Sequence, residues 1–236
     1  MKMKTKSIVL IPLFFLMRLG AAQFQNLDFE SVMLPLVPDP SHPFMVPIDS
    51  ALPNWQGYIA GVAQTNVLYS ARTLSAASLN LLSTDVGDPE VLQGKYGVLL
   101  FPSPMSDVRL SQQGFVPGGS QSLRFYLRQI GGFPPKPLQD VFGIFVNGEQ
   151  MNVVDLLDTP RYSVFGADIS RFSEQEVTLA FTAFNGQFTP SFSLDSISFS
   201  STPVPEPSTL SLLGLAGTLC LLCCRRKGQR GGNSTR

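Results

Sequence analysis

The sequence predicts an all-β fold, an antiparallel β-sandwich or jelly roll, flanked by an N-terminal signal peptide and a C-terminal transmembrane helix. Three observations carry the β reading. Short segments alternate apolar and polar residues, most cleanly Ser122–Arg128: Leu123, Phe125 and Leu127 face one way, Arg124, Tyr126 and Arg128 the other. Asn147-Gly148 stands between two apolar runs and is the favoured type I′ hairpin pair, because both central residues need positive φ. The 20 Gly and 19 Pro argue against a helical bundle.

Residues 1–22 read as the signal peptide. Met1–Lys6 is a short basic region, Ile8–Met17 is mostly large and apolar, and Gly20-Ala21-Ala22 is a small-residue cleavage site with Gln23 as the mature start. The apolar run is too short to span a bilayer. The domain occupies 23–200. Its weaker strands are Gln25–Phe29, Gly57–Ile59, Asn66–Tyr69, Ser78–Leu82 and Tyr96–Phe101, with a short helical turn expected at Leu74–Ala77. Val141–Val146 and Glu149–Val154 are the arms of the Asn-Gly hairpin, and Glu176–Phe184 alternates again. In Phe192–Ser200 the apolar phase switches between Leu194 and Ile197, which predicts a bulge or burial on both faces. The prolines collect in the loops Pro35–Pro47, Pro102–Pro104 and Pro134–Pro137.

Residues 201–207 form a linker ending in Pro205-Glu206-Pro207. Two prolines fix φ and remove two N–H donors, so the segment is extended and accessible. Residues 208–224 carry no charge over 17 positions, which at ~1.5 Å per residue spans roughly 25 Å, just short of a ~30 Å hydrocarbon core. The tail 225–236 begins with Arg225, Arg226 and Lys227, a stop-transfer cluster expected to stay cytoplasmic.

Charge excludes one partner class. Nine of the 17 basic residues lie in 1–22 and 208–236, which leaves eight against all 17 acids in the middle section, a net of −9. A phosphate backbone needs a positive face, so nucleic acid is not a partner. All three cysteines (Cys220, Cys223, Cys224) belong to the anchor. The exported part therefore has no disulfide, thiolate metal site or cysteine nucleophile.

Pro-Glu-Pro, a short apolar helix and a terminal basic cluster, in that order, resemble the PEP-CTERM sorting signal of Gram-negative bacteria. The resemblance covers about 204–227 and departs only in the extra tail Gly228–Arg236. It implies an exosortase-like membrane enzyme as partner. The anchored intermediate sits in the inner membrane, the tail is removed near Pro-Glu-Pro, and the domain passes to the cell surface or extracellular matrix. A second resemblance spans roughly 24–200. Asn26-Leu27-Asp28-Phe29-Glu30, Pro53-Asn54-Trp55 and Leu194-Asp195-Ser196-Ile197 look like the galactose-binding-like jelly roll. That implies glycan binding rather than catalysis, and in some modules a structural calcium ion, here joining Glu30 to Asp195.

Candidate chemistry is sparse. His42, the only histidine, sits in the proline loop without a Gly-x-Ser-x-Gly elbow and reads as solvated. Asp28/Glu30 and Asp155/Asp158 are close in sequence, which is not the separation a glycosidase needs across a cleft. Asp85, Asp88 and Glu90 form an oxygen-rich loop that lacks the full calcium-loop pattern. Trp55, the only tryptophan, is either a core residue or a glycan-stacking platform, and its exposure decides. The sequence thus favours a non-enzymatic, exported surface or matrix protein without a cofactor. The alternative is a carbohydrate-binding module acting on exopolysaccharide. A secreted hydrolase would need two converging carboxylates or an engaged His42.

Overall fold

The computed structural model describes residues 22–33, 36, 44–71, 73, 75–132 and 136–205. The expected signal peptide up to residue 21, His42, and the segment 206–236 lie outside them. Strands run in chain order as β1 (Met45–Pro47), β2 (Gln56–Ile59), β3 (Val62–Gln64), β4 (Asn66–Tyr69) and β5 (Ser78–Ser83). They continue as β6 (Tyr96–Phe101), β7 (Val108–Phe115), β8 (Ser122–Ile130), β9 (Phe142–Val146) and β10 (Glu149–Gln150). The last four are β11 (Val153–Asp158), β12 (Ser163–Asp168), β13 (Glu176–Ala183) and β14 (Ser191–Ser200). Two one-turn helices, α1 (Ile48–Ala51) and α2 (Leu138–Val141), each follow a proline.

The strands form two sheets. One has eight strands in the order β1-β4-β5-β6-β14-β8-β12-β11, the other six in the order β10-β9-β13-β7-β2-β3. All neighbouring strands pair antiparallel except β4 and β5. The inner faces meet in an aromatic core. The Phe125 ring lies 6.3 Å from Phe142, 5.8 Å from Phe165 and 5.5 Å from Phe181. Each fully buried phenylalanine contributes about 1.5–3 kcal/mol. This is the expected sandwich, with Leu123, Phe125 and Leu127 buried in it.

The turn chemistry reads through to the structure. Asn147 and Gly148 have φ of 52° and 81° and join β9 to β10. The second arm ends early, however. At buried Met151 the chain leaves this sheet, and β11 pairs with β12 in the other. β14 bulges between Asp195 and Ser198, where Ser196 has φ of 49°, as its phase switch predicts.

Two expectations are corrected, and one strand went unread. Gln25–Phe29 is no strand: only Gln23 bridges Phe115, and Asn26 and Phe29 take positive φ in a turn braced by Asn26 Oδ1 accepting the Ser31 N–H at 2.9 Å. The helical turn expected at Leu74–Ala77 is a bend at Ser75–Ala76, with Leu74 itself outside the described residues. β7 was invisible because its inward positions end in Gln112 and Gly114 instead of apolar residues. The reason is the N-terminal segment: Gln112 accepts the Gln25 N–H at 2.7 Å and donates to the Gln25 carbonyl at 2.9 Å. A Cβ on Gly114 would come within 2.7 Å of the Phe24 ring.

Trp55 locks that segment. Its indole Nε1–H donates to the Asn26 carbonyl at 2.9 Å, and its rings lie 5.6 Å from Phe29 and 6.3 Å from Phe181. At 2% exposure it is a core residue, so the stacking-platform alternative is withdrawn. Among the described residues no helix is long and apolar enough to cross a membrane; the expected span lies beyond them. We expect Trp55→Phe to cost about 1 kcal/mol, the lost hydrogen bond. Trp55→Ala should cost about 3–5 kcal/mol, the cavity added. Urea unfolding checks both, and a cost near zero for Trp55→Phe would mean that the indole N–H contributes nothing.

Candidate functional site: a trough on the six-stranded sheet

Inward positions of the six-stranded sheet build the core, so the alternate positions build its outer face. Register sets them in rows. Tyr58 on β2 lies opposite Arg109 on β7, which lies opposite Thr182 on β13 and then Gly143 on β9. The next row is Gln56, Ser111, Ala180 and Phe145. Apart from Arg109, the middle strands thus offer small side chains (Ser111, Ala180, Thr182), and the flanks carry rings. The result is an open trough of about 550 Å³ with Tyr58 at one wall and Phe145 and Phe184 at the other.

The walls are held in place. Phe145 and Phe184 meet edge to face at 6.2 Å and 83°. Gly143 makes that possible, because a Cβ there would come within 2.7 Å of Phe184 Cζ. The Arg109 guanidinium lies 4.3 Å from the Tyr58 ring centroid, and the Tyr58 hydroxyl donates to Gln56 Oε1 at 2.8 Å. Arg109 Nε is buried without a hydrogen-bond partner. An adjoining recess of about 300 Å³ shares Gln56, Ser111 and Thr178 and adds the amides of Gln23, Gln25, Asn54 and Gln113. Flat apolar rings beside neutral amides suit a ligand with apolar faces and hydroxyl edges. Among the described residues Asp107 is the only acid lining the trough or the recess, whereas glycoside hydrolysis uses a pair.

The sequence-predicted residues lie elsewhere. Asp85 pairs with Lys95 at 2.8 Å, and Asp88 Oδ1 accepts the Glu90 N–H at 3.1 Å, so this loop's acids are turned to their own surroundings. Asp155 is pushed above the usual carboxylate range by desolvation and then by neighbouring Asp158, which itself accepts from the Ser163 hydroxyl. Glu30 and Asp195 do come together, as the resemblance implies. Yet three of their four oxygens accept backbone N–H groups: Glu30 Oε1 accepts those of Lys95 (2.8 Å) and Tyr96 (3.0 Å). Asp195 Oδ2 accepts the Gln93 N–H at 2.9 Å and Oδ1 the Ser196 N–H at 2.7 Å. Among the described residues no three acidic, histidine or cysteine side chains are grouped so that they could hold a metal ion. A calcium shell needs six to eight oxygens free of such donors. As arranged, the pair does not fit calcium, and backbone N–H dipoles hold it instead.

The comparisons with known proteins speak to the other end of the chain. Residues 203–227 match the model of the PEP-CTERM protein-sorting motif. The chain carries this sorting signal. The motif is the recognised substrate signal of exosortase, a membrane sorting enzyme, and marks an exported protein that passes through a membrane-anchored intermediate. No curated protein matches the chain. Among solved structures, the chain is similar to TmCBM61 in complex with β-1,4-galactotriose, with 12% identity, TM-score 0.43, and coverage of 76% of this chain and 97% of that one. It is also similar to a cyclase from Fischerella sp. TAU, with 13% identity, TM-score 0.45, and coverage of 79% and 98%. A third is the enzymatically active domain of bacteriophage CBA120 tailspike protein 4, with 8% identity, TM-score 0.37, and coverage of 62% and 19%. At these scores none of them lends this chain an activity.

The Glu30–Asp195 pair makes a pH prediction. Asp195 is 1% exposed, and desolvation lifts its carboxyl to about 7, against the pull of the Gln93 and Ser196 N–H groups and with a push from Glu30's charge. Its ionised form therefore opposes folding, and the folded state takes up a proton the unfolded chain does not bind until pH nears 4. The melting temperature should rise as pH falls from about 8 to 5, and Asp195→Asn should remove most of that rise. Added calcium should leave the wild-type curve unchanged; a calcium-dependent rise at pH 8 would restore the metal site.

Proposed function

We propose that the chain is an exported, non-catalytic protein of the cell surface or extracellular matrix, whose domain binds a glycan strand in the trough. Exopolysaccharide is the ligand class. The observation that carries the reading is the pairing of aromatic walls with a floor of small side chains on rigid strands. A pyranose ring lays an apolar face on an aromatic ring, and its hydroxyl edge meets amides such as Gln56 and Gln113. The neutral amides of the recess, with one acid (Asp107) and one base (Arg109) in the trough, favour an uncharged polysaccharide, and a single carboxylate supports binding without hydrolysis. Export fits this role, since such polymers lie outside the cell.

Removal of 1–22 is part of the same reading. It leaves Gln23 as the first residue, at the edge of the recess, and takes away the Ala22 carbonyl that accepts the Phe115 N–H at 2.8 Å. N-terminal sequencing of surface material should therefore begin at Gln23 or within about two residues; an intact Met1 would sink this step.

The binding itself is tested with residues 23–205 in affinity electrophoresis through gels of neutral polysaccharide. Tyr58→Ala and Phe145→Ala should each weaken retention about tenfold or more, on the scale of losing an aromatic contact. Trp55→Phe, altered in the core, should leave retention unchanged. Absence of retention on every neutral polymer, or wild-type retention by both trough variants, would refute the reading.

A further inference from the structure

The outer face of the other sheet carries a strap. After β14 the chain does not leave the domain. Gln121 N–H donates to the Ser200 carbonyl at 2.8 Å, and the Ser122 hydroxyl donates to the Thr202 carbonyl at 2.7 Å. Val204 then lies over Gly166 of β12, beside Leu156 of β11: a Cβ on Gly166 would come within 2.8 Å of Leu156 Cδ1 and 3.2 Å of Val204 Cγ2. Pro203, Val204 and Pro205 close one side of a cavity of about 490 Å³ whose far side carries Met151 and the Arg171–Glu149 ion pair. Residues 202–205 thus cross the ends of β8, β12 and β11, the strands beyond β14 in the sheet.

That path runs into the sorting motif, which begins at residue 203. From docked Pro205 to Ser208, the start of the uncharged stretch, an extended chain reaches at most about 10 Å. An enzyme that cuts near Pro-Glu-Pro binds its substrate as an extended strand and needs residues on both sides of the bond. Here the upstream residues are held on the domain. We propose that the strap gates processing: the sorting enzyme acts on the undocked strap, and the Ser122–Thr202 hydrogen bond and the Val204 contact set how often it is free. Local opening of this kind is a low-cost fluctuation, because the strap gives up few buried contacts and the rest of the sheet stays closed. Gly166 is the permissive residue, since any side chain there contests the place of Val204.

The proposal rests on the reading that the tail is removed in a host with the sorting enzyme. The experiment uses the full chain with C220S, C223S and C224S, so that introduced cysteines cannot mispair. G166C with V204C places two thiols within disulfide reach across the strap, in an exported domain that has no other cysteine. S122A with V204S loosens the strap instead. Intact mass of surface material, followed in time, reads processing, and thermal melting confirms that each variant is folded. The locked chain should keep residues 208–236 until reductant is added, and the loosened chain should be processed about tenfold faster than the parent. Equal rates for locked, loosened and parent chains would overturn the gate and leave sorting intact. Retention of 208–236 by the parent chain itself would refute processing, and the gate with it.

Discussion

The domain depends on its last strand. β14 enters the middle of the eight-stranded sheet, paired with β6 on one side and β8 on the other. Without it that sheet falls into two pieces, and both new edges carry unpaired backbone groups. β14 also supplies buried Phe192 and Leu194 to the core, and past its bulge the Ile197 N–H donates to the Leu27 carbonyl at 2.9 Å. First and last parts of the domain are thus joined directly. A fold of this kind cannot close until residue 200 is available, and its non-local pairings make it slow.

The period of two along a strand divides the labour of the six-stranded sheet. On β13, Val177, Leu179, Phe181 and Ala183 face the core, while Thr178, Ala180 and Thr182 form the trough floor. A substitution on the floor therefore touches no core contact directly, and the trough is free to vary its chemistry while the sandwich keeps its stability. The same rule explains why the trough escaped notice in the sequence. Its residues come from β2, β7, β9 and β13, and only register brings Tyr58, Arg109, Thr182 and Phe145 to one face.

Local patterns were legible wherever one segment carried its own signal. Ser122–Arg128, Asn147-Gly148 and the phase switch in β14 each state a geometry within a few residues, and the sorting motif is contiguous. What was not legible came from distant partners. Gln112 and Gly114 break the alternation of β7 because Gln25 and Phe24 use those positions. Gly166 weakens the strand signal of β12 because Val204 needs the space. Trp55 has the same composition signature on a surface or in a core, and only the pairing of its N–H with Asn26 decides. The resemblance pairs Glu30 with Asp195 through calcium, but no motif records the backbone N–H groups of Gln93, Lys95, Tyr96 and Ser196 that their carboxylates accept.

The proposed binding trough and the proposed strap occupy opposite faces of the sandwich. The trough lies on the outer face of the six-stranded sheet, the strap on the outer face of the eight-stranded one. Between them stands the close-packed layer of Phe125, Phe142, Phe181 and Phe192, all fully buried. Interiors of this density resist small displacements, so a strap that lifts by a few ångströms does not reach through to Tyr58 or Phe145. The strap's own contacts, Ser122 and Val204, add nothing to the trough. On the two proposals, release from the membrane and engagement of a ligand are therefore separable, because the strap and the trough share no contact residue.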